Sequence, residues 1–159
     1  MIKAEDLRIG DLVRVRKIKF CRFIIPENVA YKVTQIISKD LLINNRSSVR
    51  LCLTNPKQNQ TEYPMSCWCL LPIPLTPEIL EKNGWSKRHD GSSSCDIYSK
   101  GKGSFHVRLE QCIYKKQEGF DFAVGDSTYR FGNKIEHVHE LQHILWALGL
   151  DANLNIQTI

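Results

Sequence analysis

The sequence predicts an α+β fold: a small N-terminal β-barrel or roll, then a helix, an antiparallel β-meander and a C-terminal helix. Three observations predict it. Short β-branched segments separated by turn residues fill the first seventy positions. A proline-rich stretch, Leu71-Pro72-Ile73-Pro74-Leu75, then marks a change of pattern. After it, apolar residues recur at helical spacing in two places, 76–84 and 136–149, with strand-like segments between them. The expected organisation is an all-β domain at 1–71, a linker at 72–76 and an α+β domain at 77–159.

The first strand is expected within 11–20, where Val13 and Val15 alternate with Arg14 and Arg16. Ile18 and Phe20 then share parity with the arginines, so a bulge or bend near Arg16–Lys17 is expected to restore an inward apolar face. Residues 31–37 (YKVTQII) and 48–54 (SVRLCLT) are the next strands, bounded by turn material at Lys39–Asp40 and Asn44–Ser47. A last strand is expected around Glu62–Leu71. The opening segment DLRIGDLVRV resembles the first strand of SH3-like barrels, and the N-terminal domain is expected to be of that kind.

The two prolines of 71–75 favour extended backbone. The helix that follows has clear end signals. Thr76 is a good N-cap, Pro77 fits the first helical position, Glu78 meets the positive end of the dipole and Gly84 is placed to stop it. Trp85 is expected to fold back onto the core. Residues 86–95 (SKRHDGSSSC) read as loop, with strands at 95–99, 104–114, 119–124 and 127–131. Phe105, Val107, Leu109 and Phe120, Phe122, Val124 alternate as a half-buried meander should. In the final helix, Val138, Leu141, Ile144, Leu145 and Leu148 form one stripe, and Gly149 closes it.

With 42% apolar and 25% charged residues in 159, the chain has the composition of a folded globular protein rather than a disordered tail. No apolar run reaches the roughly 20 residues of a membrane span. The N-terminus lacks the basic-then-apolar layout of a secretory signal, so a cytoplasmic location and reduced cysteines are expected. Of the six cysteines, Cys67 and Cys69 flank Trp68 with a one-residue spacer, shorter than structural zinc sites use. Buried thiols are the expected reading, and a metal site using this pair is the alternative.

Net charge is +5 and unevenly spread: residues 1–75 carry 12 basic and 6 acidic side chains, residues 76–159 carry 10 and 11. The densest cluster is Arg14, Arg16, Lys17, Lys19 and Arg22, interleaved with Phe20 and Phe23. Such a strand could follow a phosphate backbone, with Arg46 and Arg50 extending it, or be a solvated strand face. These five residues are the candidate partner-binding set. Gly101-Lys102-Gly103-Ser104 has no following helix to complete a phosphate site and reads as a hairpin turn.

His139-Glu140-Leu141-Gln142-His143 satisfies H-E-x-x-H, which in zinc peptidases sets two imidazoles one turn apart beside a general base. A catalytic zinc needs a third protein ligand. After His143 the only acidic residue is Asp151, and Trp146 and Gly149 stand where the longer form of the pattern has Gly and His. His106 is the upstream candidate. Two histidines on the polar face of the helix are the expected reading, with the zinc hydrolase as the rival.

Residues 72–85 (PIPLTPEILEKNGW) and 135–149 (IEHVHELQHILWALG) resemble a family of small, functionally uncharacterised proteins of Bacteroides-type bacteria, their phages and integrated mobile elements. The resemblance covers about half the chain. Where this chain has His143, that family usually carries Asn, which implies that the second histidine is a variant rather than a ligand. The shared framework is Val138, His139, Leu141, Gln142 and Leu148, and it implies packing against the preceding sheet. The resemblance supplies no activity. The expected function is therefore that of a phage-type accessory protein binding a protein or nucleic-acid partner, with no cofactor and no membrane.

Overall fold

The computed structural model describes residues 2–16, 29–37, 48–53, 63–66, 69–92, 94–102, 105–112, 118–126 and 131–156. The chain is α+β, and among the described residues every strand pairing is antiparallel. It forms two compact units: Met1–Ile73 with Leu141–Ile159, and Pro74–Glu140. The change at residue 73 falls inside the stretch expected as a linker. Residues 141–159 belong with the N-terminal sheet.

The first unit opens with a short 3-10 turn, Ala4–Asp6. Its sheet contains β1 (Leu12–Val15), β2 (Tyr31–Ile37), β3 (Ser48–Leu53), β4 (Tyr63–Ser66) and β5 (Leu70–Pro72), in the order β4-β3-β2-β1-β5. Val13 stands opposite both Tyr31 and Pro72, so β1 lies between β2 and β5. Val13, Tyr31, Val33 and Leu70 are buried with Ile2, Leu7 and Cys69, while Arg14 is half-exposed and Arg16 exposed. The alternation of β1 thus has its physical meaning: valines inward, arginines outward. A register shift falls between Val33 and Gln35 of β2, which lets Ile36 also turn toward the core.

Three expectations are corrected here. The single strand expected around Glu62–Leu71 is two strands, β4 and β5, at opposite edges of the sheet. The barrel is not closed among the described residues, because those two edges do not pair with each other. Both edges carry a proline, Pro64 and Pro72, which has no N–H to donate and suits an outer strand.

The third correction lies in the second unit. Its sheet contains β6 (Ser86–Asp90), β7 (Cys95–Lys102), β8 (Phe105–Cys112), β9 (Phe120–Val124) and β10 (Phe131–Ile135), in the sequential order β10-β9-β8-β7-β6. Residues 86–90, expected as loop, are the edge strand β6. Four of its five residues are exposed, so it has no apolar alternation to reveal it. Charge on an outer strand also blocks unwanted pairing. Tyr98, Val107, Leu109 and Phe120 are fully buried, with Tyr98 and Phe120 edge-to-face at 5.8 Å. Gly119 precedes β9 at φ +82°, where a Cβ would lie 3.0 Å from the Ile135 carbonyl oxygen. No other residue fits that turn without displacement.

Helix α1 spans Pro77–Lys82, with the Thr76 hydroxyl accepting from the Ile79 N–H. Gly84 at φ +78° ends it, and the Trp85 N–H donates to the Leu80 carbonyl, which turns the indole inward. Helix α2 spans Val138–Ala147, and Leu150 N–H closes its end on the Leu145 carbonyl. Among the described residues, no helix is long and apolar enough to cross a membrane.

Candidate functional site

The site is built from the turn before β1 and the part of α2 from Leu141 onward, all within the first unit. Gly10 adopts φ +104°, a conformation costly for any side chain, and lets the chain reverse between Arg8 and Asp11. Asp11 locks this reversal from both ends: its N–H donates to the Arg8 carbonyl (3.2 Å), and its carboxylate accepts from the Arg8 N–H (2.7 Å). The turn is then fastened to β2, with Gly10 N–H donating to the Val33 carbonyl and Val33 N–H to that of Asp11.

Two side chains of α2 complete the arrangement. Gln142, 6% exposed, accepts from the Leu12 N–H through Oε1 (2.9 Å). Its Nε2 donates to the carbonyls of Gly10 (3.3 Å) and Ala152 (3.2 Å). One amide therefore ties the start of β1, the helix and the C-terminal segment. His143 Nε2 donates to Asp11 at 2.9 and 2.8 Å, and the Asp11 carboxylate, 3% exposed, thereby gains a cationic or polar partner.

Above this polar floor lies a cavity of about 500 Å³. Arg8, Ile9, Lys32 and Trp146 line it together with Leu150 and Asp151. Ile9 and Trp146 are 70% and 68% exposed, the two large apolar side chains most open to water among the described residues. The Arg8 guanidinium sits over the Trp146 ring, 4.8 Å from its centroid. Asp151 is turned on its own chain, accepting from the N–H and side-chain amide of Asn153. The first unit holds 12 Lys+Arg against 7 Asp+Glu, and the second 10 against 10, so the whole excess of +5 belongs to the unit that carries the cavity.

The described residues among those expected to carry function stand in separate local settings. Arg14 Nε donates to the Pro72 carbonyl (3.1 Å), which holds β5 beside β1, and Arg16 is exposed. Lys17, Lys19, Arg22 and Arg46 lie outside the described residues, as does Cys67. Cys69 is buried in the core of the first unit. His106 is half-buried, 3.6 Å from Asp126. Gly101 and Lys102 belong to β7, while Gly103 and Ser104 lie outside the described residues.

The H-E-x-x-H residues have separate local roles. His139, expected on the polar face, is 6% exposed: the buried arc of α2 includes Val138, His139, Leu141, Gln142 and Leu145, wider than the apolar stripe alone. Glu140 caps the helix, its Oε2 accepting from the N–H groups of Glu136 (2.8 Å) and His137 (3.0 Å) and its Oε1 facing the His137 ring at 3.1 Å. This is the reach-back of a capping box, three positions into the helix. His143 is held by Asp11. Among the described residues, no group of three or more His, Cys, Asp or Glu side chains is arranged to hold a metal ion.

Burial alone would push the Glu140 carboxyl up, but the N–H groups of Glu136 and His137 and the His137 ring outweigh it, and its pKa lies below the ordinary value. A depressed carboxyl contributes stability above its unfolded pKa and loses it as pH falls through the folded one. Glu140→Gln should lower stability by about 1 kcal/mol at neutral pH, the usual worth of a cap. The gap between variant and wild-type melting temperatures should close as pH falls below about 4. A gap independent of pH would exclude the charge-dependent cap.

Arg8, Asp11, Lys32 and Trp146 were not legible as a site from sequence. The one available signal was an acid placed directly after a turn glycine at the foot of a strand. No protein-family model matches the chain, and neither a curated protein nor a solved structure is detectably similar to it.

Proposed function

We propose that the protein is a non-enzymatic accessory protein of the phage and mobile-element type, acting in the bacterial cytoplasm by binding a protein or nucleic-acid partner. The observation that carries the binding reading is the concentration of Ile9, Trp146 and Arg8 on one cavity rim. Exposed aromatic and arginine side chains around a concavity are characteristic of binding hot spots. The polar floor has its partners supplied from within: Asp11, His143 and Gln142 hold the turn, the strand and the helix together. That division, a braced floor and an open rim, suits recognition better than turnover. The family resemblance of 72–85 and 135–149 supports the phage context. The order β4-β3-β2-β1-β5, in which the last strand returns beside the first, supports an SH3-like relationship for the N-terminal sheet.

The rival is a zinc hydrolase using His139, His143 and Glu140. The engagement of Glu140 as a helix cap and of His143 by Asp11 favours the binding reading. Metal analysis of protein purified without a histidine tag should find zinc far below one equivalent. Stoichiometric zinc that disappears in His143→Asn would overturn the proposal.

A further inference from the structure

The chemistry of the rim narrows the partner, and the inference rests on the binding reading above. We infer that the cavity of the first unit is a site for single-stranded nucleic acid, stacking one base on Trp146 and setting a neighbouring phosphate against Arg8 and Lys32.

The cations come first. Neither Arg8 nor Lys32 is paired with a carboxylate among the described residues. The two acids of the lining are otherwise engaged, Asp11 by His143 and the Arg8 N–H, Asp151 by Asn153. The lining thus holds two cations outside any ion pair among the described residues, against two carboxylates, Asp11 and Asp151, that accept hydrogen bonds from within the chain. Lys32 belongs to β2, opposite Leu12, and its stem passes Gly10: a Cβ there would lie 3.9 Å from its Cε.

The aromatic comes second. Trp146 remains 68% exposed even with Arg8 over its ring. An exposed indole beside a guanidinium is the kind of stacking platform single-strand binders use, because every base has a π-face and every step a phosphate. An apolar peptide anchor would call for an apolar floor. Here the deeply buried lining residues are Asp11 and Gln142, both polar and both already held by the chain, so the floor offers an apolar anchor nothing to fill. The excess charge of the first unit extends the argument beyond the cavity, since strand affinity depends on neutralised phosphates.

Fluorescence anisotropy with a labelled oligothymidylate tests this on the full chain. Binding at low salt is expected, weakened about tenfold or more by Trp146→Ala and largely recovered in Trp146→Phe, which keeps a stackable ring. Arg8→Gln and Lys32→Gln should each reduce the salt slope by about 0.7. Because these side chains are exposed, unchanged melting temperatures will separate lost binding from lost folding. Binding that survives all three replacements but falls with Arg16→Gln would overturn the cavity assignment and leave nucleic-acid binding elsewhere on the protein. Equal affinity for the blunt duplex would overturn stacking. Failure to bind the oligonucleotide, with Trp146-dependent binding of an oligoglutamate peptide, would overturn this inference and leave the broader binding reading standing. Binding of neither probe would overturn it as well.

Discussion

Gln142→Ala should be the most destabilising of the single replacements considered, by on the order of 3 kcal/mol. The side chain is buried, and its three hydrogen bonds go to backbone groups of Leu12, Gly10 and Ala152. Removing it leaves one donor and two carbonyls without their partner, and each buried orphan costs about 1–3 kcal/mol. Partial access of water to the Gly10 and Ala152 carbonyls keeps the sum toward the lower end. The melting temperature should fall by roughly 10 °C. Gln142→Glu is the informative companion, because it keeps the acceptor for Leu12 and removes both donors. It should also destabilise, since a carboxylate would face the two carbonyls its amide had served. A melting temperature unchanged in Gln142→Ala would show that the amide does not fasten the unit.

The second large effect is expected at Asp11. Its carboxylate accepts from the Arg8 N–H and from His143, and its own N–H closes the same turn. Asp11→Ala should cost about 2–3 kcal/mol, since it strands two donors at once. A double-mutant cycle with His143→Ala isolates the side-chain pair and should give a coupling of about 1 kcal/mol or more. The interaction is only partly shielded, His143 being 24% exposed, which argues against a larger value. Additivity of the two replacements would mean that the pair is incidental.

These two residues also show where sequence reading reaches its limit. Strands whose inward residues alternate with charge were legible: Val13 against Arg14, and Tyr31, Val33 against Lys32. The ends of α1 were legible too, because Thr76, Pro77 and Gly84 act within a few residues of chain. Strand β6 was not, since an exposed edge strand needs no apolar pattern and Ser-Lys-Arg-His-Asp reads as loop. Gln142 lay in a recognisable segment, yet its role depends on Gly10 and Leu12, about 130 residues away, and no local periodicity records that. The same holds for Asp11, whose partner is on the far end of the chain. The H-E-x-x-H string is the opposite case: the spacing is local and suggestive, while the contacts of its side chains are set by different neighbours. Glu140 answers to the helix start, His143 to Asp11. The basic strand was legible as charge, but Arg14 contributes to the sheet through Pro72. Trp146 read only as a departure from the longer H-E-x-x-H pattern, and only the fold shows that it stands in water beside Arg8.

The first unit is expected to bind its partner on the rim formed by Arg8, Lys32 and Trp146. The most direct test is a titration of isotope-labelled protein with oligothymidylate, followed through backbone and indole N–H resonances. The predicted result is a saturable shift of the Trp146 indole N–H together with the amides of Arg8, Ile9, Gly10 and Lys32, while those of β6 to β10 stay in place. Shifts confined to other parts of the protein, or none at low salt, would contradict it.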